Sequence, residues 1–320
     1  MTPIRVAVIG CGEFGQHHAR VLRGLERAEL AAVADVDRGR AEAAGARFGA
    51  RVVTDYRDLV GQIDAATIAA PTALHAEIGA QLLSSGVDVL VEKPIADSLE
   101  AADRLIAAAG AKGRVLQIGH LERFNPAVEA AAAVARLPLF FEIHRMSPFT
   151  PRSLDIDVVL DLMIHDLDIV LSLVRSEIRQ VHAVGLPVLS ARADIAQARV
   201  EFATGCVANL TASRISTEKI RKLRFFQPRQ YVSLDYARQD GAVFSVGASQ
   251  QIEWRPLAVE RAEPLEREMA AFLEAVEKRS PPRVSGQDGR RALAAALRIR
   301  SEMESHAKVV AAAMAGQDDR

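Results

Sequence analysis

The stretch VLDLMIHDLDIVL, residues 159–171, sets a histidine and three aspartates among aliphatic residues. An imidazole titrates near neutral pH and can accept the proton of an alcohol; a neighbouring carboxylate fixes its tautomer or binds a hydroxyl. At about 100° per residue, Asp157, Asp161, His165, Asp168 and Ser172 share a stripe about 80° wide. Asp166 alone leaves it, on the opposite side of the helix. The spacing predicts a helix buried around most of its circumference, with one polar seam and with Asp161 and His165 a turn apart on one face. A buried carboxylate without a partner is costly, so the seam needs a reason. A wet, ligand-lined cleft supplies one, and an Asp/His hydrogen-bond network between domains supplies another; the pattern alone accommodates both. Such a pair could also ligate a metal, but no third ligand stands at suitable spacing, and no metal is expected.

Two further constellations carry chemistry. Gly10-Cys11-Gly12-Glu13-Phe14-Gly15 is a G-x-G-x-x-G turn after an apolar run and before a helical pattern. Glycines there let the backbone approach a pyrophosphate, and the helix N-terminus offers it free N–H donors. Asp35 closes the next apolar run, where a carboxylate accepts from the ribose hydroxyls of NAD and repels the 2′-phosphate of NADP. NAD is therefore expected over NADP, with Arg38 and Arg40 as solvated helix charges. Glu92-Lys93-Pro94 follows the run at 87–92 and puts a cation at the carboxyl edge where ligands bind in parallel sheets, or a lysine on the surface before a turn. In Pro71-Thr72-Ala73-Leu74-His75, Thr72 reads as a helix N-cap, and His75 either faces the cofactor or caps its own helix.

These residues need a scaffold. Short apolar runs at 4–10, 29–35, 65–70, 87–92 and 114–119 read as buried strands, and Ala-rich patterns at 14–25, 38–48, 73–85 and 98–110 as helices. Their alternation predicts a doubly wound parallel sheet of Rossmann type over residues 1–120. From 121 to 320 the pattern changes. Strands are expected at 137–149, 179–189, 195–204, 206–214, 221–227, 230–236, 242–246 and 251–259, without helices between most of them, which implies a largely antiparallel sheet. Helices at 264–279 and 287–313 close the chain.

Composition narrows the function classes. The 320 residues are 49% hydrophobic and 25% charged with a formal net charge of −1, an ordinary globular balance with no signature of a nucleic-acid binder. Cys11 and Cys206 suggest neither a disulfide framework nor a zinc site. The first apolar run is too short for a signal peptide, and no stretch reaches the roughly 18 apolar residues of a membrane span, so a cytoplasmic protein is expected. None of Tyr56, Tyr231 or Tyr236 is followed four residues on by lysine, which removes the Tyr-x-x-x-Lys dehydrogenases.

The ordered set Gly10-x-Gly12-x-x-Gly15, PTALH at 71–75, EKP at 92–94 and Asp161-x-x-x-His165 resembles the Gfo/Idh/MocA family of NAD(P)-dependent sugar and polyol oxidoreductases over nearly the whole chain. The resemblance implies a Rossmann domain followed by an α/β domain with a large open sheet through which such proteins form dimers or tetramers. It also implies Lys93, Asp161 and His165 as the catalytic trio, either His165 or Lys93 as the base, and a Lys93–Pro94 bond open to the cis isomer. The glycine-rich stretch that many members carry before the aspartate is replaced here by DIDVVL (155–160), which bears on the substrate more than on the chemistry.

Four segments, GHLERFNPA (119–127), HRMSPFTPRS (144–153), LDLMIHDLDIVL (160–171) and ANLTASRIS (208–216), are similar to the branch of that family that oxidises the 3-hydroxyl of UDP-N-acetylglucosamine for lipid A diamino-sugar synthesis. A UDP-sugar needs cations for its diphosphate. Arg123, Arg145 and Arg152 could supply them, and with His120, Asn125 and Asp157 they make up the substrate-side candidates. The cofactor-side candidates are Gly10, Gly12, Glu13, Phe14, Gly15, Asp35, Pro71, Thr72, His75, Glu92 and Lys93. Another nucleotide sugar or a free polyol such as an inositol is the alternative substrate, and a non-catalytic NAD sensor the alternative of another class.

Overall fold

The computed structural model describes residues 2–150, 156–247 and 250–318. The chain runs β1 (Ile4–Ile9), α1 (Glu13–Gly24), β2 (Ala28–Ala34), α2 (Arg38–Phe48), β3 (Arg51–Val53), β4 (Ala65–Ile68), α3 (Thr72–Ser84), β5 (Asp88–Glu92), α4 (Leu99–Lys112) and β6 (Leu116–Gly119). After a 3₁₀ turn, Leu121–Phe124, come α5 (Pro126–Val134) and β7 (Phe140–Met146). A π-helical turn, Val159–Met163, leads into α6 (Ile164–Val174). Then follow β8 (Ile178–Leu186), β9 (Ile195–Phe202), β10 (Val207–Ser213), β11 (Ile220–Gln227), β12 (Gln230–Asp235), β13 (Asp240–Val246), β14 (Ile252–Pro256), α7 (Pro264–Lys278) and α8 (Gly286–Asp318).

The chain divides into two compact units, Met1–Phe124 with Ala262–Leu293, and Asn125–Arg261 with Ala294–Arg320. The boundary expected at residue 120 therefore lies four residues on, and the assignment of all of 121–320 to one domain is corrected. Residues 262–293 return to the first unit because α7 has a core-facing stripe. Its Met269, Phe272, Leu273 and Val276 share one buried cluster with Val6 and Val8 of β1 and Leu22 of α1.

The first unit holds a six-stranded sheet in the order β3-β2-β1-β4-β5-β6 with every pair parallel. That order reverses at β1/β4, the switch point of a Rossmann sheet. The strands are buried on both faces, which explains their unbroken apolar runs. β3 was not expected from sequence: three residues, one of them exposed Arg51, give no periodic signal.

The second unit holds an eight-stranded sheet in the order β14-β13-β12-β11-β7-β10-β9-β8, antiparallel except for β10 beside β7. Burial alternates along β7 and β9, so one face of those strands is packed and the other is open. The edge strand β14 is exposed throughout. Across neighbouring strands the rings of Phe140, Phe226, Tyr231 and Phe244 stand 4.8–5.7 Å apart, with Phe226 38% and Trp254 62% exposed. No helix among the described residues is long and apolar enough to cross a membrane.

Candidate active site

In the first unit the glycine turn links β1 to α1. Each glycine has its own geometric reason. Gly10 has φ +94° and its missing Cβ would lie 2.5 Å from the Ala69 carbonyl oxygen. A Cβ on Gly15 would lie 1.7 Å from the Gly10 oxygen, so only glycine lets α1 close on the turn. A Cβ on Gly12 would meet nothing within 4 Å, so that side of the turn is open. Gly12 is also the N-cap of α1 and, as a glycine, brings no side chain to that end. Open space beside a helix N-terminus suits a pyrophosphate. Glu13 and Phe14 are exposed at this end, Phe14 at 59%.

Asp35 follows β2 and is already oriented. Its Oδ2 accepts from the Cys11 N–H at 2.8 Å and its Oδ1 from the Asp37 N–H at 2.9 Å. The carboxylate is thereby tied to the glycine turn, as a ribose acceptor requires. Arg38 and Arg40 are exposed and lie beside Glu42 and Asp37, in keeping with solvated helix charges. These features fit a dinucleotide.

The turns after β4 and β5 are joined by His75. The fully buried ring sets Nδ1 2.9 Å from the Pro94 oxygen and Nε2 2.8 Å from the Ala70 oxygen. Burial pushes the imidazole down from its usual range, against the pull of the two carbonyls. His75 thus spends its ring on the backbone and ties the PTALH turn to the EKP turn. Pro71 is the N-cap of α3 and Thr72 its first helical residue, so the expected Thr72 cap is corrected by one position; no side chain caps that end.

Glu92 ends β5, and the Lys93–Pro94 bond is cis. The Glu92 carboxylate lies 3.0 Å from His18 Nε2 and accepts from the Lys93 N–H at 3.2 Å. Burial works to raise this carboxyl, but the His18 hydrogen bond and the charges of His18 and Lys93 outweigh it and hold the group below the usual carboxylate range. His18 is fully buried on the inner face of α1. Sequence reasoning missed it. The only signal was a histidine three residues after Gly15, on the face that must pack against the sheet. His120 is buried directly after β6, and Arg123 is half-buried in the Leu121–Phe124 turn; burial works to raise the Asp288 carboxyl, but hydrogen bonds from Ser285 and Arg291 and the charge of Arg123 outweigh it and hold the group below the usual carboxylate range.

The second unit carries the polar helix. Asp157 accepts from the N–H groups of Val159 and Leu160 at 3.0 and 3.1 Å and pairs with Arg300 at 2.6 Å, so it acts here as a cap and an α8 anchor. The expected single α-helix is corrected: its first turn, containing Asp161, is π-helical. A π turn holds an extra residue, so side chains before it rotate relative to those after it, and π turns recur at functional sites. The narrow stripe drawn at constant pitch is accordingly broken. Asp161 and His165 are half-buried, whereas Asp168 is 2% exposed.

Asp166, opposite the stripe, is buried and paired with Arg145 of β7. Arg145 therefore directs Nε and one terminal nitrogen at a carboxylate of its own unit. Asn125 caps α5 by accepting from the Ala127 N–H and gives its amide to the Tyr236 carbonyl. Arg152 lies outside the described residues. Among the described residues no group of three His, Cys, Asp or Glu side chains could hold a metal.

Comparison with known proteins agrees with this layout. Residues 4–120 match the family model described as "Oxidoreductase family, NAD-binding Rossmann fold", and residues 107–229 match the GFO/IDH/MocA C-terminal domain. The UDP-N-acetylglucosamine 3-dehydrogenase of Acidithiobacillus ferrooxidans is 36% identical over 95% of this chain and 99% of its own length, and its solved structure superposes with a TM-score of 0.89. The inositol 2-dehydrogenase of Acidothermus cellulolyticus is 33% identical over 57% of this chain and 56% of its own length. The myo-inositol 2-dehydrogenase structure from Lactobacillus plantarum, 21% identical, shares the fold over 95% of this chain and 98% of its own with a TM-score of 0.82. The chain belongs to the Gfo/Idh/MocA oxidoreductase family and is an NAD(P)-dependent enzyme acting on CH–OH groups.

Proposed function

We propose that the protein oxidises the 3-hydroxyl of UDP-N-acetylglucosamine to a ketone with NAD. The end-to-end match to an enzyme of that name, 36% identical over 95% of this chain and 99% of the relative, carries the reading. The inositol 2-dehydrogenase match covers little more than half of either chain and leaves an inositol as the comparison substrate.

Bound at the glycine turn, NAD supplies the hydride acceptor. The chain supplies the rest. The α1 N-terminus binds the pyrophosphate and Asp35 the ribose hydroxyls, which favours NAD over NADP. His165 removes the proton of the sugar hydroxyl as its C–H hydride departs, and Asp161 orients the imidazole or the sugar. Lys93, its backbone N–H held by Glu92, donates to the oxygen as negative charge develops there, where fixed charge contributes most. Lys93 and His165 could exchange the role of base, and the variants below separate them. His120 and Arg123 remain the substrate-side candidates of the first unit. The 3-keto nucleotide sugar suits a following transamination, as in lipid A diamino-sugar synthesis. The exposed aromatic row on the open sheet, Phe226 and Trp254 among it, supports assembly into dimers or tetramers through that face.

The test is to mix protein with NAD or NADP and UDP-N-acetylglucosamine, free N-acetylglucosamine or myo-inositol. NADH absorbance is followed with the mass of the sugar product. Loss of two hydrogens from UDP-N-acetylglucosamine alone supports the reading, and turnover of inositol alone refutes it.

A further inference from the structure

The buried Arg145–Asp166 pair stands beside the helix that carries His165 and has no part in the chemistry proposed above. Along β7 the pleat turns Phe141, Ile143 and Arg145 inward, so an arginine occupies a position that the strand pattern reserves for an apolar side chain. Its Nε lies 2.8 Å from Asp166 Oδ2 and its terminal nitrogen 2.9 Å from Oδ1, a two-pronged bond with the side chains 4% and 2% exposed. The guanidinium also lies 5.3 Å from the centre of the Tyr236 ring.

Stability alone gives little reason for this arrangement. Desolvating two charges costs about what their attraction returns, and well-packed apolar residues of similar volume are often as stable or more so. A planar fork meeting a carboxylate does what an apolar contact cannot: it accepts one orientation. Asp166 adjoins His165 in the chain, and the π turn just before α6 leaves the rotation of that helix unset by a regular α-helical register.

We propose that Arg145 and Asp166 are positioning residues: their buried two-pronged bond fixes the rotation of α6 about its axis and thereby aims the His165 imidazole. The proposal rests on His165 acting on the substrate as described above. A small misplacement is enough to matter, since about 1 Å at a reacting group costs on the order of 100-fold in rate.

The test compares wild type with Arg145→Met/Asp166→Leu, which removes both charges together, and with Arg145→Lys, which keeps the charge pair but not the two-pronged fork and covers a folding failure of the first. Steady-state kinetics with NAD and UDP-N-acetylglucosamine are paired with ¹⁵N spectra of histidine-labelled protein, the His165 signal being identified from His165→Gln. The expected result is a kcat lower by about 10- to 100-fold, KM for the sugar within threefold, unchanged NAD affinity, and a moved His165 resonance. Wild-type kcat with an unmoved resonance in both variants overturns the proposal. So does a tenfold rise in KM with kcat retained, which would make Arg145 a substrate ligand. If wild type oxidises no sugar, the functional reading fails, and the His165 resonance alone decides whether the pair aims the ring.

Discussion

Gly12→Ala separates the dinucleotide site from the fold. An alanine Cβ at this position meets nothing within 4 Å, and the backbone, φ −65° and ψ −170°, suits any residue. Alanine there also narrows the unfolded ensemble, which stabilises by about 0.4–1 kcal/mol. The unliganded variant should thus melt at or slightly above the wild-type temperature. Its methyl group projects into the open space beside the α1 N-terminus, where the pyrophosphate is to bind. Losing one charge-assisted hydrogen bond costs about 1.5–3 kcal/mol, and about 2 kcal/mol weakens Kd roughly 30-fold.

Thermal denaturation with and without NAD reads both effects. At an NAD concentration of about 100 times the wild-type Kd, binding stabilises wild type by about 2.7 kcal/mol and the variant by only about 0.9. The NAD-induced rise in Tm should therefore fall by about 4 °C at roughly 2 °C per kcal/mol for a chain of this size. Gly15→Ala is the contrast, since its Cβ would overlap the Gly10 oxygen at 1.7 Å and should destabilise the unliganded protein. A Gly12→Ala protein that keeps the full NAD-induced shift, or one that melts well below wild type without ligand, refutes the assignment of the turn.

His165→Ala and Lys93→Met should each retain NAD binding by calorimetry while kcat falls about 100- to 10,000-fold; turnover near wild type clears the residue of its role. Whichever variant removes the base should also lose the rise of activity with pH. His18→Leu leaves the buried Glu92 carboxylate without its imidazole partner and should cost about 1.5–3 kcal/mol at pH 7 by denaturant titration. Glu92 is held below its ordinary range, so its stabilisation is present at neutral pH and fades as the pH falls below about 4.5 through the folded value. The His18→Leu deficit should shrink there, and a deficit constant down to pH 3 counts against the pairing. His75 is pushed down by burial, so the unfolded chain takes up a proton first as the pH falls below about 6.5, and stability declines. Between pH 7.5 and 5.5 the Tm of His75→Asn should fall less than that of wild type; equal slopes exclude His75 as the titrating group.

Periodic signals were legible in the sequence, and pairings were not. The strands of both units and the helices between them follow from apolar runs and Ala-rich spacing, and α2 falls on the residues expected, 38–48. The glycine turn was legible because each glycine answers a local steric demand. β3 was too short to show a period. The return of α7 to the first unit depends on which core its apolar face meets, a long-range fact with no local trace.

The polar helix shows the limit most clearly. A constant turn angle grouped Asp161 with His165 but could not foresee the π turn or the burial of Asp168. Arg145 reads as a substrate-side candidate because nothing near it in sequence announces Asp166, 21 residues away. Asp157 and Asn125 likewise read as ligand contacts, yet Asp157 caps the π-helical turn and binds Arg300, and Asn125 caps α5. A polar side chain beside a helix start has a backbone use ready to hand.

Whether the protein oxidises a nucleotide sugar at carbon 3 is tested most directly by incubating it with NAD and UDP-[3-²H]N-acetylglucosamine. Deuterium should appear on the nicotinamide ring of the reduced cofactor, with a ketone at carbon 3 of the sugar. NADH formed without deuterium, or no NADH with this sugar while myo-inositol is turned over, contradicts it.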